Sequence, residues 1–500
     1  MSNAAQQKDS SPPAAAPAAQ RTAISPTRAE NFPEWYQEVV KAADMAENSP
    51  VRGSMIIKPY GWALWENMTA IFDKWLKNYG IQNAYFPLLI PVSFLAKEAE
   101  HVEGFAKECA VVTHHRLEKG PNGGLIPSPS AELEEPYVVR PTSETIIGDA
   151  MARWIQSYRD LPLKLNQWNN VMRWEMRTRL FLRTSEFLWH EGHCAFETAD
   201  EARADALHVM GLYKKFFQDY LAFTGYDGPK TAEERFPGAD ETFGFEAMMQ
   251  DGKALQAATS HDLGQNFSKS LGIKFQGRDG KEAHAWTTSW AYSTRTLGGM
   301  IMMHGDDDGI IMPPRVAPIQ IMILPVVKNE SESGELMEFC NKVAEDLKKA
   351  GFATQVDGRD MRTPDKMWSA VKKGIPVRVE IGQREMEQNS VTFVRRDLGR
   401  ESKTTATVSA FMAAIQGVLD DIHNTLLNRH KNFTAANTFD AKSTTEIRDF
   451  YTAGKTGFVR VPVELLNDQS LNQFRKENAI STRCMPFEDE GRSVLLAKSY

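Results

Sequence analysis

Two short alternating segments, Asn170-Val-Met-Arg173-Trp-Glu175 and Thr184-Ser-Glu186-Phe187-Leu-Trp189, flank a charged tip at residues 177–180. Apolar and polar side chains recur in them with period two, which predicts a pair of antiparallel strands. Successive side chains of a strand point to opposite faces, so Arg173 and Glu175 are expected on one face of the first strand. Arg183 and Phe187 should return beside them on the second. An arginine in such a place can clamp a phosphate bidentately, and a phenylalanine can stack on a planar base. A chain built around this pair is committed to an antiparallel sheet.

The remaining elements are read around that pair. Amphipathic helices are expected over residues 33–47 and 60–78, the second carrying Leu64, Met68, Ile71, Phe72, Trp75 and Leu76 at helical spacing before a stop at Gly80. Residues 84–91 read as a strand in which Pro87 fits poorly, and residues 118–133 as a surface loop rich in Gly, Pro and Ser. Helices over 145–157 and 200–224 accompany strands at 243–250, 254–260, 287–290 and 299–304. After Pro313-Pro314, strands at 319–325, 353–357, 377–381 and 391–395 alternate with a helix at 334–350, the pattern of a small α/β domain. A chain of 500 residues suggests about three domains. We divide it into a tail (1–25), a first domain (26–315), an α/β domain (316–425) and a small mixed domain (426–500).

The opening MSNAAQQKDSSPPAAAPAAQ lacks a basic start and an apolar stretch, so it is no secretory signal and is expected to be disordered. No apolar run reaches the ~18 residues of a membrane span, and a cytosolic chain is expected. The four cysteines stand singly, with no C-x-x-C pair, so neither a zinc ribbon nor a disulfide framework is written here. A net charge of −7 argues against nonspecific coating of nucleic acid. Residues 359–400 nevertheless hold ten Lys/Arg against six Asp/Glu, a stretch that is either solvated or faces RNA.

Some nucleotide signatures are present only in part. Gly454-Lys455-Thr456 ends like a phosphate-binding loop, but Asp449 stands where the opening glycine belongs. His190-Glu191-Gly192-His193 and Phe267-Ser268-Lys269-Ser270 look like the paired signatures of class I synthetases. Those require a parallel dinucleotide-type sheet, whereas here the first follows an antiparallel segment. The spacing from His190 to His193 also misses the i, i+4 geometry of a zinc helix.

The arrangement Arg173-x-Glu175, loop, Arg183-x-x-x-Phe187 resembles motif 2 of the class II aminoacyl-tRNA synthetases. Residues 80–87 resemble motif 1, and Ser293-Thr-Arg295 followed by Gly298-Gly299 resembles motif 3. Within the class, Arg140-Pro-Thr142-Ser-Glu144-Thr, Trp189-His-Glu-Gly-His193, Gln256-Ala-Ala-Thr259-Ser-His261 and Pro313-Pro-Arg-Val-Ala-Pro are similar to the prolyl-tRNA synthetases. The likeness is to the archaeal and eukaryotic type, which lacks the editing insertion that bacterial forms carry between motifs 2 and 3. It implies an α+β fold: a class II antiparallel sheet with flanking helices, an α/β anticodon-binding domain, and a small α+β C-terminal domain. Thr142-Ser-Glu144 and the Trp189–His193 stretch argue against a threonyl or glycyl relative. Arg173, Glu175 and Arg295 together argue against a catalytically dead paralogue.

The resemblance further implies ATP and Mg2+ as cofactors, and proline and its tRNA as substrates. It implies a homodimer through motif 1, and no membrane partner. Arg173 would hold the proline carboxylate and the α-phosphate, with Arg295 on the phosphates from the other side. Glu175, Arg183, Thr184 and Phe187 would touch ATP, with Gln256 and Thr259 near the nucleotide and Gln256 near its magnesium. Thr142 and Glu144 would take the cationic imino nitrogen, and Trp189 and His261, with Ser289 and Trp290 nearby, would wall the ring. Asp357-Gly-Arg359, Arg378 and Glu380 fall in the expected anticodon reader. The C-terminal domain offers only Cys484 where many relatives hold zinc, so no zinc is expected, and Tyr500 is expected to tuck towards the active site.

Overall fold

The predicted pair sits towards one edge of a seven-stranded sheet, with a single short strand beyond it. The structure, a computed structural model, describes residues 22–99, 108–327 and 333–500. In chain order the sheet's strands are β1 (Gln82–Asn83), β2 (Leu163–Met172), β3 (Glu186–Phe196), β4 (Tyr226–Pro229), β5 (Glu241–Met248), β6 (Ala254–Gly264) and β7 (Trp286–Ser293). Across the sheet they run β4-β5-β6-β7-β3-β2-β1, antiparallel throughout except at the short β1–β2 edge. The accompanying helices are α1 (Arg28–Ala42), α2 (Pro59–Asn78), α3 (Glu144–Trp154), α4 (Ala199–Leu221) and α5 (Arg295–His304).

Period two divides the sheet's side chains between a helix-covered face and an open one. On the covered face Phe72 stacks on Tyr213 at 5.3 Å, with Phe216, Tyr292 and His190 packed around them. Each such buried ring contributes about 1.5–3 kcal/mol. Trp189, Glu191 and His193 of β3 lie on the open face, opposite Asn169, Gln167 and Leu165 of β2 on one side. On the other side they face Ser293, Ala291 and Ser289 of β7, and His261 of β6 pairs with Ser289 in turn.

A second module follows, with strands β8 (Ile321–Val326), β9 (Thr354–Val356), β10 (Val377–Gly382), β11 (Ser390–Arg395) and β12 (Thr404–Thr407) in the order β9-β8-β10-β11-β12. Its helices are α6 (Ser333–Lys349), α7 (Thr363–Lys372) and α8 (Val408–Ala436). A third module has β13 (Thr438–Asp440), β14 (Phe458–Pro462), β15 (Ser481–Thr482) and β16 (Ser493–Ala497) in the order β13-β14-β16-β15. Beyond β16 the chain returns to the first sheet. Ala254 N–H donates to Lys498 O at 2.8 Å, and Tyr500 N–H donates to Ala254 O at 3.1 Å.

Several expectations need correction. Residues 299–304 form part of helix α5, not a strand. That helix is buried on all sides, so its apolar run carries no period to read. Its Gly298 and Gly299 are there for close packing: a Cβ would lie 2.6 Å from Leu182 Cδ2 and from Leu255 Cδ2, respectively. Of the strand expected at 84–91 only Leu89–Pro91 forms, paired with Glu132–Val139, while β1 (Gln82–Asn83) lies before it. Strand β2 ends at Met172, so Arg173 and Glu175 follow the strand rather than sit on it. The expected boundary at 425 falls inside α8, which runs unbroken for 29 residues. The expected disordered tail lies largely outside the described residues, but residues 22–25 are docked. Ile24 is 2% exposed, and its N–H donates to Asp307 O at 2.9 Å. No helix among the described residues is long and apolar enough to cross a membrane.

Candidate active site

Two cavities open on the uncovered face of the sheet and meet at Arg173. The first, about 280 Å³, is lined by Thr142, Glu144, Arg173, Trp189, Gln256, Thr259, His261 and Ser289 among others. The second, about 330 Å³, is lined by Arg173, Glu175, Arg183, Thr184, Phe187, Ser293, Arg295 and Tyr500 together with Phe181 and Leu182. The sequence-predicted residues are thus brought together in two groups. Gln256 and Thr259, expected beside the nucleotide, open on the first cavity.

The first cavity has an acceptor end. Glu144 opens helix α3, and the Thr142 hydroxyl donates to its Oε2. Behind them Glu191 is buried and takes hydrogen bonds from Ser143 Oγ (2.5 Å), Ser143 N (3.1 Å) and Asn169 Nδ2 (2.7 Å), with His193 Nε2 at 3.0 Å. Burial alone would raise the Glu191 carboxyl, but the bonds from His193, Ser143 and Asn169 outweigh it and hold it below the usual carboxylate range. The Trp189 indole N–H is buried and finds no acceptor among the described residues.

His261 forms the opposite wall. Burial lowers it to about 3, so the imidazole is neutral near pH 7. Its Nδ1 lies 3.0 Å from Thr242 Oγ1, which also accepts the Phe236 N–H at 3.0 Å. The arrangement that satisfies all three groups has the hydroxyl donate to Nδ1, leaving the ring proton on Nε2. Trp290 borders the first cavity as expected, but its indole lies on the helix-covered face, its Nε1 donating to Asp205 Oδ2 at 3.2 Å. Gly192 makes room for it, since a Cβ there would lie 2.0 Å from Trp290 Cη2.

The second cavity concentrates positive charge. Arg173 Nε donates to Pro141 O at 3.0 Å, and its guanidinium lies 5.2 Å from the Trp189 ring and 5.5 Å from Phe187. Arg295 is the first residue of α5 and donates to Leu182 O at 3.0 Å. Burial, with Arg173, Arg183 and Arg483 nearby, pulls Arg295 down to about 10, so it stays cationic. Against these stands Glu175, whose Oε2 accepts from Arg183 Nε at 2.5 Å. Three arginines beside one carboxylate, at the N-terminus of a helix, form a receptor for a multiply charged anion. Tyr500 closes the far wall, its hydroxyl donating to Asp251 Oδ2 at 2.6 Å.

Sequence reasoning missed Glu191, His193, Lys230 and Phe236 as wall residues. Period two counted on from Trp189 would have found the first two. Lys230 and Phe236 lie after β4, where no periodicity points inward. Among the described residues, one group of His, Cys, Asp and Glu has ligand atoms close enough to share an ion, namely Glu144, Glu191 and His193. His190, by contrast, is a core residue bonded to Asn166 Oδ1 (2.8 Å) and Tyr213 OH (3.0 Å) on the covered face.

Comparison with known proteins agrees with this geometry. Residues 128–304 match the tRNA synthetase class II core domain (G, H, P, S and T), and residues 320–417 match an anticodon binding domain. The chain is 49% identical to a proline–tRNA ligase of Bdellovibrio bacteriovorus, covering 96% of this chain and 99% of that protein. It is 50% identical to one of Akkermansia muciniphila, covering 95% of each. The fold is similar to a crystal structure of prolyl-tRNA synthetase from Cryptosporidium parvum complexed with halofuginone and AMPPNP, with TM-score 0.87 and 34% identity over 96% of this chain and 99% of that one. A second structure of that protein, with L-proline and AMP, matches at TM-score 0.85 and 34% identity over 96% and 97%.

Proposed function

The chain belongs to the class II prolyl-tRNA synthetases, and on that premise we propose how its two cavities divide the reaction. The enzyme activates L-proline with ATP and transfers the prolyl group to tRNA. In the first step a proline carboxylate oxygen attacks the α-phosphorus and pyrophosphate leaves. In the second a terminal ribose hydroxyl of tRNA attacks the prolyl carbonyl and AMP leaves. The first cavity takes proline and the second takes ATP. Arg173, common to both, holds the carboxylate against the α-phosphate. What carries this reading is the continuity of an acceptor-ended cavity with an arginine-lined one at that single residue.

Thr142 and Glu144 accept from the imino nitrogen, and Trp189, His261 and Ser289 enclose the ring. Phe187 stacks on adenine, while Glu175, Arg183 and Thr184 fix the base and ribose end. Arg173 and Arg295 neutralise charge as it develops on phosphorus. Catalysis here is positioning plus fixed charge, with no proton transfer assigned to a side chain. Mg2+ prefers oxygen donors and keeps several waters. The Gln256 carboxamide opens on the proline cavity, so it would serve as a sparse protein ligand only to an ion held where that cavity meets the α-phosphate at Arg173. When bound, the ion offsets phosphate charge.

The reading extends to three further points. The stretch between β3 and α5 is spent on strands β4 to β7 and helix α4 of the same domain, which supports the type without an editing insertion. Tyr85 (76% exposed), Leu88, Leu89 and Trp62 leave an apolar surface around motif 1, which supports a homodimer. The second module would read the anticodon, although much of its positive excess is internally paired: Arg359 with Asp357 at 2.6 Å, Arg378 with Glu380 at 3.2 Å, and Arg395 with Asp397 at 2.8 Å. Such an enzyme works in the cytosol, where its tRNA is.

Amino-acid-dependent ATP–pyrophosphate exchange across all twenty amino acids, without tRNA, tests the division. Strong exchange with proline, abolished by Arg173→Ala, is expected. Exchange that survives Arg173→Ala would overturn the placement of the reaction at the junction.

A further inference from the structure

The third module braces a wall residue of the proline cavity from behind. Lys230 follows β4 and lines that cavity, its side chain only 2% exposed. Its stem crosses β5 at Gly244, where a Cβ would lie 2.8 Å from Lys230 Cε. Its Nζ meets Glu246 Oε1 at 2.9 Å, its one hydrogen bond among the described residues. The other oxygen of Glu246 is taken by Arg483, which lies between β15 and β16 and donates from Nε (3.0 Å) and Nη2 (2.8 Å). Neighbouring contacts fix the same seam. Met485 N–H donates to Pro229 O at 2.8 Å, and Thr231 and Thr482 share a hydrogen bond at 2.7 Å.

The charges do not balance. At ion-pair distance two buried cations share one buried carboxylate, which leaves a net positive charge there; Glu234, half-buried on the same cavity wall, offsets it only from a longer range beside Arg483. Such a charge is costly unless an anion meets it. An ammonium has three donors, and Lys230 uses one of them on Glu246. The cavity is where the others find room. We propose that Lys230 is a fixed cation for the carboxylate of the bound amino acid, and that Arg483 is a positioning residue that holds Lys230 in place through Glu246. The proposal rests on the reading of this cavity as the proline site, and it gives the third module a part in recognising the substrate.

The test is steady-state ATP–pyrophosphate exchange on the full chain, with KM for proline and for ATP taken separately. The variants are Lys230→Met, Arg483→Met, Arg483→Lys and the double Lys230→Met/Arg483→Met. Lys230→Met leaves Glu246 and Arg483 as a matched pair, so folding is kept. It should raise KM for proline about tenfold or more while KM for ATP stays within about twofold. Arg483→Met should do the same, Arg483→Lys should recover most of the loss, and the double variant should be no worse than the poorer single one. An unchanged KM for proline in Lys230→Met would overturn the proposal. So would a rise shared by or confined to ATP, or losses that multiply in the double variant. Should Arg483→Met not fold, Lys230→Met decides alone. Absence of proline-dependent exchange in the unsubstituted enzyme would instead overturn the reading of the cavity, before any variant is compared.

Discussion

Acid should loosen this protein through histidines that are buried in the neutral form. His304 at the end of α5 donates Nε2–H to Leu221 O, and His423 of α8 donates to Gln218 O, both at 2.9 Å. Both acceptors lie at the end of α4, so His423 ties the long helix to the first domain and His304 ties α5 to α4 within it. Burial, with His430 and Arg429 nearby, lowers His304 to about 3. Burial and Arg315 lower His423 to about 4, despite Asp219 and Asp420. His423 Nδ1 has no partner among the described residues, so a second proton there would point at nothing.

Below pH 6.5 the unfolded chain binds a proton at each ring that the folded chain does not. Stability is therefore fully present above that value and falls with pH until the folded values of about 3 and about 4 are reached. Between pH 7.5 and 5.0 this amounts to ~2 kcal/mol per ring, or ~4 kcal/mol for the two. Urea unfolding followed by tryptophan fluorescence at several pH values measures it, with the His304→Gln/His423→Gln variant as the comparison. Glutamine can donate to the same carbonyls but takes up no proton, so the variant should lose ~4 kcal/mol less over that interval. Other groups contribute to both proteins and cancel in the difference. Parallel curves for the two proteins would refute the reasoning.

Three further outcomes are expected. Arg295→Met should lower kcat of pyrophosphate exchange by about 10²–10³ with the fold intact by circular dichroism, and a loss under about tenfold would remove Arg295 from the reacting centre. Gly192→Ala forces a methyl into the Trp290 ring and should cost about 3 kcal/mol in a denaturant titration, so an unaltered midpoint would show that the indole can move aside. Tyr500→Ala should raise KM for ATP about tenfold while leaving KM for proline within about twofold, since Tyr500 lines only the arginine-rich cavity, and equal changes in both would place its effect elsewhere.

Much of the site is legible because period two survives in it. Counting along 184–196 places Trp189, Glu191 and His193 on one face, and Arg173, Arg183 and Phe187 converge even though β2 stops at Met172. What is not legible has physical causes. Helix α5 is buried all round, so it shows no amphipathic stripe and its glycines mimic a strand or turn. In the apolar run 84–91 strand pairing begins only after Pro87, at Leu89. Trp290 and Ser289 are neighbours in sequence yet face opposite sides, and only the pairing of Gly192 with Trp290 decides which. The Lys230–Glu246–Arg483 group is assembled from positions too far apart for any local pattern to announce it.

The return of the chain to the first sheet at Lys498 and Tyr500 also bears on how the enzyme is made. The other residues of the arginine-lined cavity are all encoded between positions 173 and 295, and Arg483, which holds Lys230 of the proline cavity through Glu246, comes from nearly as far downstream as Tyr500. A chain cut short within the third module therefore lacks Tyr500 in the wall of the nucleotide cavity, and one cut before Arg483 also lacks the partner that holds Glu246 against Lys230.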